Sequence, residues 1–160
     1  MNYLIQKLYL KDSNECLNLL ENEPNLNKFK RMNGWGLNSI KETINYNQSK
    51  SYGCYVNQKL IGFIFSRYYL NDLEILIIFI KKGFRKNGLG RLLITYLIQQ
   101  LGDIKCLNIH IEVSENNYEA NLFYKKCGFK IVSTRKNYYI LKNGNKENAK
   151  IYSLTINTVK

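Results

Sequence analysis

The sequence predicts a mixed α/β (α+β) fold, with a mixed central sheet of about six to seven strands flanked by about four helices. Segments with alternating apolar residues, which are typical of strands, are interspersed with segments of helical periodicity. One run, residues 73–80, is almost wholly apolar, as expected of a central strand covered on both faces. The chain has 160 residues with 1 Pro and 10 Gly, which leaves no room for a Pro-rich or Gly-rich linker. We therefore expect a single domain over residues 1–160.

The first part of the chain predicts one strand and two helices. Residues 3–9 alternate apolar and polar side chains and predict a strand, and residues 11–21 predict a helix. The buried face of that helix is expected to consist of Cys16, Leu17, Leu19 and Leu20. A polar loop over residues 26–38 contains Trp35 between two glycines, and a second short helix is expected over residues 39–46.

The remainder of the chain predicts strands that alternate with two more helices. Strands are expected over residues 51–56, 60–69, 73–80, 106–113, 130–133 and 149–156. Helices are expected over residues 91–101 and 117–127. Residues 57–59 predict a short hairpin connection, and residues 83–90 predict a Gly-rich turn.

The composition is strongly basic, with 24 Lys+Arg against 12 Asp+Glu and a formal net charge of +12. Such a charge suggests a polyanionic partner, such as nucleic acid, a membrane surface or a phosphorylated small molecule. Lys, Asn and Ile are all very frequent, a bias that an AT-rich coding sequence produces without any selection for binding. Charge alone therefore does not choose among these partners.

The cysteine and histidine content argues against a structural zinc site. The four cysteines include no C-x-x-C pair, and His110 is the single histidine. Scattered single cysteines fit a reducing compartment. The N-terminal segment lacks the uninterrupted apolar stretch of a signal peptide, and no apolar run is long enough to cross a bilayer. We expect a soluble cytoplasmic protein without metal or membrane association.

Residues 85–91, with the sequence RKNGLGR, form the first candidate site. They follow an apolar strand and open a helix, so that free backbone N–H groups at the helix start can bind a phosphate. Gly88 and Gly90 permit a close approach of the backbone to a ligand. Positive charge would come from Arg85, Lys86 and Arg91. The spacing is neither a Rossmann nor a Walker motif, and the alternative is an ordinary glycine turn.

Glu112 is the second candidate, because it lies on the polar face of an otherwise apolar strand. A carboxylate there is costly to bury, which suggests a general base, although a solvated glutamate at a strand end is an alternative. His110 lies on the same face and is in a position to assist it. Cys106 and His110 would be roughly 13 Å apart on one strand, which excludes an activated thiol pair.

Two further segments carry candidate aromatic residues. Tyr124 lies near the end of the helix over residues 117–127 and is either a phenolic proton donor or a core aromatic. The segment 135–139 contains Tyr138 and Tyr139, which either line a pocket or belong to a loop of mixed exposure. Basic residues beside aromatics can also stack nucleotides, but no nucleic-acid motif accompanies them.

In this order, these motifs resemble the GCN5-related N-acetyltransferase (GNAT) superfamily. The strand over residues 73–80 followed by R-x-x-G-x-G is similar to the acetyl-CoA motif of that superfamily. The stretch IEVSENNYEANLFYKKCGFKIVSTRKNYY is more specific and resembles protein N-terminal acetyltransferases, above all the ribosomal-protein-alanine N-acetyltransferase group. The resemblance covers residues 51–156 well and residues 1–50 more loosely.

The resemblance implies roles for individual residues. Glu112 would be the general base and Tyr124 the general acid. Acetyl-CoA would be bound by Ile78, Phe79, Ile80, Arg85, Lys86, Asn87, Gly88, Leu89, Gly90, Arg91 and Asn117. The acceptor would be bound by Trp35, Tyr138 and Tyr139.

The function that the resemblance implies is transfer of an acetyl group from acetyl-CoA to an amine, above all the N-terminal α-amine of a protein such as a ribosomal protein. Association with the ribosome through charge is a further expectation, whereas DNA binding and a metal are not expected. An acetyltransferase acting on a small amine or a lysine side chain is an alternative. A non-catalytic CoA-binding or RNA-associated module is an alternative of another class.

Overall fold

A computed structural model of the protein describes residues 2–23, 34–102, 106–141 and 143–156. The seven strands are β1 Leu4–Lys7, β2 Tyr52–Val56, β3 Lys59–Tyr69, β4 Asp72–Ile80, β5 Asn108–Ser114, β6 Lys130–Ile140 and β7 Lys146–Thr155. The α-helices in these ranges are α1 Ser13–Glu21, α2 Leu37–Asn45, α3 Leu89–Gln99 and α4 Tyr118–Lys126. In the described ranges, no helix is long and apolar enough to cross a membrane. The predicted mixed sheet with interspersed helices is confirmed.

All seven strands form one sheet in the order β1-β2-β3-β4-β5-β7-β6. Neighbouring strands are antiparallel except for β4 and β5, which are parallel and are connected through α3. The two-residue loop between β2 and β3 consists of Asn57 and Gln58, both with positive φ, as in a type I′ hairpin turn. Lys59, expected in that connection, is instead the first residue of β3.

The parallel pair β4–β5 separates along its length. Cα partners run only from Asp72 opposite Asn108 to Ile75 opposite Ile111, although β4 continues to Ile80. Beyond Ile75, β4 remains paired with β3 on one side. Its other backbone edge faces an opening at the carboxyl ends of the two parallel strands, the usual place for a ligand in sheets of this kind.

The sheet separates two apolar clusters. The larger cluster packs α3 and α4 on one face and includes Leu89, Leu93, Ile94, Leu97, Ile109, Ile111, Val113, Tyr124 and Tyr152. The smaller cluster packs α1 and α2 on the other face and includes Cys16, Leu20, Ile40, Phe63, Phe65 and Phe79. Cys16 and Leu20 are buried, and Leu17 and Leu19 are partly buried, so the predicted inner face of α1 is confirmed. Each fully buried side chain of this size contributes roughly 1.5–3 kcal/mol.

The largest error in the predicted elements concerns β6. The sequence predicted a strand over residues 130–133, but β6 extends to Ile140 and includes the segment that the sequence left as either a pocket lining or a loop. The reason is that β7, which begins at Lys146 rather than at residue 149, provides a hydrogen-bonding partner along this length. Local side-chain polarity does not report such a partner.

Smaller differences lie at the ends of elements. β5 begins at Asn108, so Cys106 and Leu107 precede the strand, and α3 begins two residues earlier than predicted. β1 is shorter than predicted, and α2 begins at Leu37 inside the expected loop. Residues 26–33 of that predicted loop lie outside the described residues.

Candidate active site

The first half of the candidate site is the start of α3, which we call the phosphate loop (residues 85–91). Gly88 precedes the helix with a left-handed φ of 77°, and the Gly88 carbonyl accepts the first helical hydrogen bond, from the Leu92 N–H. The N–H groups of the first turn therefore have no acceptor within the helix. A Cβ atom at Gly88 would have no neighbour within 4 Å, so the space beside Gly88 is open.

The charged side chains of the phosphate loop are not equivalent. Arg85 donates from Nε to the Ile80 carbonyl at 2.8 Å and pairs with Glu23 at 3.0 Å. Arg91 donates to the Lys126 carbonyl at the end of α4. Lys86 is exposed, with a left-handed φ of 64°. Among the described residues, Arg85 and Arg91 both use their guanidinium groups in contacts within the chain, whereas Lys86 is exposed and is the charge best placed for a ligand.

Other residues of the phosphate loop shape it. The side-chain amide of Asn87 donates to the carbonyls of Phe84 and Arg85, both at 3.3 Å, and holds the turn before the helix. A Cβ at Gly90 would lie 2.9 Å from the Phe123 ring, so glycine at this position permits α3 to pack closely on α4. Leu89 is buried and anchors the helix start.

The opening between β4 and β5 lies beside Ile78, Phe79 and Ile80. These residues pair only with β3, so their backbone edge toward β5 has no strand partner. Phe79 is buried against Phe63 with ring centroids 5.6 Å apart, and this packing fixes the end of the strand. These three residues, to which the resemblance assigns acetyl-CoA binding, therefore border a cleft with a backbone edge that no strand covers, although the Ile80 carbonyl accepts a hydrogen bond from Arg85.

Glu112 lies directly after the last residue of β5 that pairs with β4. Its side chain is 20% exposed, and its Oε1 lies 2.9 Å from Nη1 of Arg135. A hydrogen bond with the Glu112 carboxylate is the main cause that raises the pKa of Tyr138, followed by burial. The guanidinium of Arg135 also lies 5.3 Å from the Tyr138 ring centroid. The predicted base is therefore in contact with two residues of β6.

A large irregularity in β6 directs these side chains toward Glu112. The register of β6 and β7 advances from Arg135 opposite Ala149 to Tyr139 opposite Glu147, four residues along one strand and two along the other. Asn137 lies at the tip of this bulge with φ 54°. Bulges of this kind bend a strand and redirect its side chains, often beside active sites.

A second carboxylate lies near the first. Glu147 is 6% exposed, and its Oε2 accepts a hydrogen bond of 2.6 Å from the Ser114 hydroxyl. Burial raises the pKa of Tyr139 to about 12, and the charges of Glu112 and Glu147 add to this effect. Tyr139 packs edge-on against Tyr138, with centroids 5.0 Å apart. We call Glu112, Arg135, Tyr138, Tyr139 and Glu147 the acceptor cluster.

Tyr124 lies deep in the larger apolar cluster with an exposure of 5%. Its ring makes edge-on contacts with Phe123 and Phe129 at 5.0 and 5.6 Å. Burial raises the pKa of its hydroxyl well above the ordinary value, so Tyr124 carries its proton at neutral pH. It therefore has the protonation state that a donor needs and is at the same time a core aromatic.

Two predicted binding residues have structural contacts of their own. The side-chain oxygen of Asn117 accepts a hydrogen bond of 3.2 Å from Ala120 N–H and caps α4. Trp35 is 7% exposed and packs on Phe65 at 5.3 Å, in the smaller cluster on the other face of the sheet from Tyr124. The structure thus places Trp35 in a different apolar cluster from Tyr124.

His110 interacts with Asp72 rather than with the proposed base. Its Nε2 lies 3.2 Å from Asp72 Oδ2, at the opposite end of the β4–β5 pair from the opening. The suggestion that His110 assists Glu112 is therefore wrong, and the reason is that strand pairing places a closer carboxylate beside it. In the ranges that the structure describes, no group of three or more His, Cys, Asp or Glu side chains is arranged to hold a metal.

Sequence reasoning missed Glu147 and the contact of Arg135 with Glu112. Glu147 lies in a polar stretch that gives no sign of burial, and Arg135 is separated from Glu112 by 23 positions in the chain. The only sequence signal was the placement of a basic residue before two adjacent tyrosines. The bulge that brings them together depends on the pairing of β6 with β7.

Two curated relatives are similar to this chain over its central part. The [Ribosomal protein bS18]-alanine N-acetyltransferase of Haemophilus influenzae is 37% identical over 93 residues, which is 58% of this chain and 63% of the relative. The protein of the same name from Escherichia coli K12 is 30% identical over 100 residues, which is 62% of this chain and 67% of the relative. The matched part of the chain thus spans slightly less than two thirds of the first relative and about two thirds of the second.

The fold is also that of solved acetyltransferase structures. The ribosomal-protein-S18-alanine N-acetyltransferase from Escherichia coli superposes with a TM-score of 0.82 at 22% identity, over 99% of this chain and 97% of that one. Ard1 from Thermoplasma volcanium superposes with a TM-score of 0.83 at 22% identity, over 98% of this chain and 99% of that one. At these identities the likeness shows the fold.

The family assignment rests on a family model that matches more than half of the chain. The model of the Acetyltransferase (GNAT) family matches residues 14–129, which include β4, the phosphate loop, Glu112 and Tyr124. This confirms the resemblance stated from the sequence and the expectation of an acetyl-CoA-dependent N-acetyltransferase at the level of the family. The chain belongs to the GNAT acetyltransferase family.

Proposed function

We propose that this protein transfers the acetyl group of acetyl-CoA to the N-terminal α-amine of a protein, and that its acceptor is the N-terminal alanine of ribosomal protein bS18. One observation carries the reaction type: Glu112 lies where β4 and β5 separate, beside the free backbone edge of Ile78–Ile80. The acceptor is inferred from the activity of the relatives from Haemophilus influenzae and Escherichia coli, which are named [ribosomal protein bS18]-alanine N-acetyltransferases.

The phosphate loop fits the pyrophosphate of acetyl-CoA. The N–H groups at the start of α3 have no helical acceptor, and the space beside Gly88 is open. A helix start with these properties binds anions, and the exposed Lys86 adds a positive charge. Arg85 contributes indirectly, because it holds the Ile80 carbonyl and so fixes the end of β4. The cosubstrate supplies an activated acetyl thioester.

Glu112 acts as the base in the proposed reaction. An α-amine has a pKa of about 7.7–8.0, so much of it is protonated and unreactive at neutral pH. Glu112 accepts the proton of the acceptor amine, directly or through one water, and the neutral nitrogen attacks the thioester carbonyl. A backbone N–H near Ile80 stabilises the negative charge that develops on the carbonyl oxygen.

Tyr124 acts as the proton donor for the leaving thiolate. Its raised pKa keeps the hydroxyl protonated, and its position in an apolar cluster excludes water from the transfer. The new C–N bond forms as the C–S bond breaks. The nitrogen loses two protons in all: the first passes to Glu112, and the second restores the Tyr124 hydroxyl after Tyr124 has given its proton to the thiolate. The proposed mechanism uses no metal.

The acceptor cluster favours a cationic amine over a neutral or anionic acceptor. Glu112 and Glu147 are both acidic, although the chain carries a net charge of +12. Tyr138 and Tyr139 present flat apolar rings with polar ends beside these carboxylates, which suits the first residues of a peptide. Trp35 is proposed to support the acceptor side from the smaller apolar cluster.

The test is acetylation of a panel of acceptors with labelled acetyl-CoA, followed by mapping of the acetylated atom. The panel contains peptides with the N-terminal sequence of bS18, the same peptides blocked at the α-amine, peptides with an internal lysine, and small amines. We expect label on the α-amine of the unblocked bS18 peptide. Label confined to lysine or small amines would refute the proposed acceptor, and binding of acetyl-CoA without any transfer would refute the enzyme activity.

A further inference from the structure

The contact between Arg135 and Glu112 has no role in the reaction described above. The Nη1–Oε1 distance is 2.9 Å, and the two side chains are 53% and 20% exposed. The arginine therefore covers the carboxylate that the proposed reaction needs free. For the proposed reaction, Glu112 must therefore exchange the guanidinium of Arg135 for the amine of the acceptor.

The position of Arg135 is built into the fold. Arg135 begins the bulge in β6, and Asn137 at the tip of that bulge donates its N–H to Asn148 Oδ1 at 2.9 Å. Asn148 in turn donates its own N–H and its side-chain amide to the carboxylate of Glu115, both at 3.2 Å. Glu115 follows β5 directly, so the bulge is tied to the strand end that carries Glu112.

The ion pair between Arg135 and Glu112 can break at small cost in free energy. More than half of the Arg135 side chain is exposed, against 20% of Glu112, so water competes chiefly for the guanidinium and weakens the pair. The guanidinium can therefore leave Glu112 for solvent at small cost. A ligand that brings its own positive charge to Glu112 replaces the lost interaction, whereas a neutral ligand does not.

We propose that Arg135 is a specificity-determining residue that occupies Glu112 in the free protein and is displaced by the ammonium group of the acceptor. This inference rests on the proposed function and names the form in which the acceptor is bound. One ion pair breaks and another forms, and the proton then passes from the bound ammonium to Glu112. An acceptor with an ammonium group makes this exchange favourable and a neutral hydroxyl group does not, which selects amines over hydroxyl groups.

The test compares R135Q with K136Q. Both variants lose one positive charge on the same strand, but the contact with Glu112 belongs to Arg135. The dissociation constant of the bS18 N-terminal peptide is measured by calorimetry in the presence of CoA, and KM and kcat are measured with acetyl-CoA. We expect peptide binding to tighten by about 3- to 5-fold in R135Q, and the KM of the peptide to fall with it. K136Q should change peptide binding by less than about twofold.

A third variant and the wild type complete the experiment. R135K keeps a cation that can pair with Glu112, so its peptide binding should lie closer to the wild type than to R135Q. Peptide binding that is unchanged or weaker in R135Q, or that tightens equally in K136Q, would overturn the inference while leaving the proposed function intact. A wild-type protein that acetylates no peptide α-amine would overturn both. Thermal unfolding of each variant checks that the bulge remains folded.

Discussion

The two halves of the candidate site differ in how the chain builds them. The phosphate loop is one continuous segment of seven residues (85–91), and its binding groups are mainly backbone N–H groups at the start of α3. The acceptor cluster instead combines Glu112 from β5, Arg135, Tyr138 and Tyr139 from β6, and Glu147 from β7. The first half depends on local geometry, and the second depends on strand pairing and a bulge.

This difference separates the chemistry of the two ligands. The cosubstrate end binds a group that is common to all reactions of the family, and a glycine-containing helix start is sufficient for a phosphate. The acceptor end must distinguish one amine from another, and side chains from several strands define its charge and shape. Substitutions in the two halves should therefore separate into effects on acetyl-CoA and effects on the acceptor or on turnover.

The largest expected effect is on turnover in E112Q. Glutamine keeps the shape of the side chain but cannot accept the proton, so kcat at neutral pH should fall by about 10²-fold. Raising the pH should recover part of the loss, because the amine then deprotonates without help. Steady-state rates between pH 6 and 9 measure this effect.

The matched control for this variant is E74Q. Glu74 is also on a strand of the sheet, but it pairs with Arg67 at 2.7 Å and lies at the other end of β4 from the opening. The E74Q variant should retain the wild-type kcat and pH profile. An E112Q protein with an unchanged pH profile would remove Glu112 from the role of base.

The next effect is on turnover in Y124F. Loss of the hydroxyl removes the proposed proton donor, and kcat should fall by about 10-fold. This loss is smaller than the rate effect of most general acids, because a thiolate is a good leaving group even without protonation. The KM for acetyl-CoA should remain within about twofold, since the ring contacts are kept. Y118F is the control, because Tyr118 begins the same helix and is 77% exposed. Full activity of Y124F would show that the residue serves packing alone.

The third effect concerns the phosphate loop, through G88A. Alanine at a φ of 77° is strained by about 1–3 kcal/mol, so the helix start should shift away from its binding geometry. We expect the KM for acetyl-CoA to rise by about fivefold, with little change in peptide KM. G83A is the control, since a Cβ there has no neighbour within 4 Å and glycine is not required by φ. Equal effects of the two substitutions, or a larger effect on peptide KM, would contradict the separation of the two halves.

The sequence predicted the phosphate loop better than the acceptor cluster, because the first is one continuous segment and the second combines several strands. The phosphate loop was identified because Gly88, the preceding apolar strand and the following helix are adjacent in the chain. Glu112 was identified because β5 alternates apolar and polar residues, and Ile109, Ile111 and Val113 are indeed buried. The fold class followed from the same periodicity.

The remainder required tertiary structure. The contact of Arg135 with Glu112 depends on the bulge that forms where β6 pairs with β7. The Glu147 carboxylate accepts its hydrogen bond from Ser114 of the neighbouring strand β5, 33 positions away in the chain. Side-chain periodicity contains neither relation, because both depend on how one strand pairs with another. The sequence assigned Arg85 to phosphate binding because of its charge. In the structure, Arg85 instead contacts the Ile80 carbonyl and the Glu23 carboxylate, and the sequence did not predict these neighbours.

The smallest expected effect uses salt to compare the two halves. Acetyl-CoA is a polyanion attracted by a chain of net charge +12, so its KM should rise by about two- to threefold when ionic strength increases from about 0.05 to 0.3 M. A basic acceptor peptide is repelled by the same overall charge, and screening reduces that repulsion. Its KM should therefore remain constant or fall by less than about twofold. Over the salt series, the KM for acetyl-CoA should therefore rise while the KM for the peptide stays constant or falls. A parallel rise would show that the acidic acceptor cluster, rather than the net charge, governs peptide binding at long range.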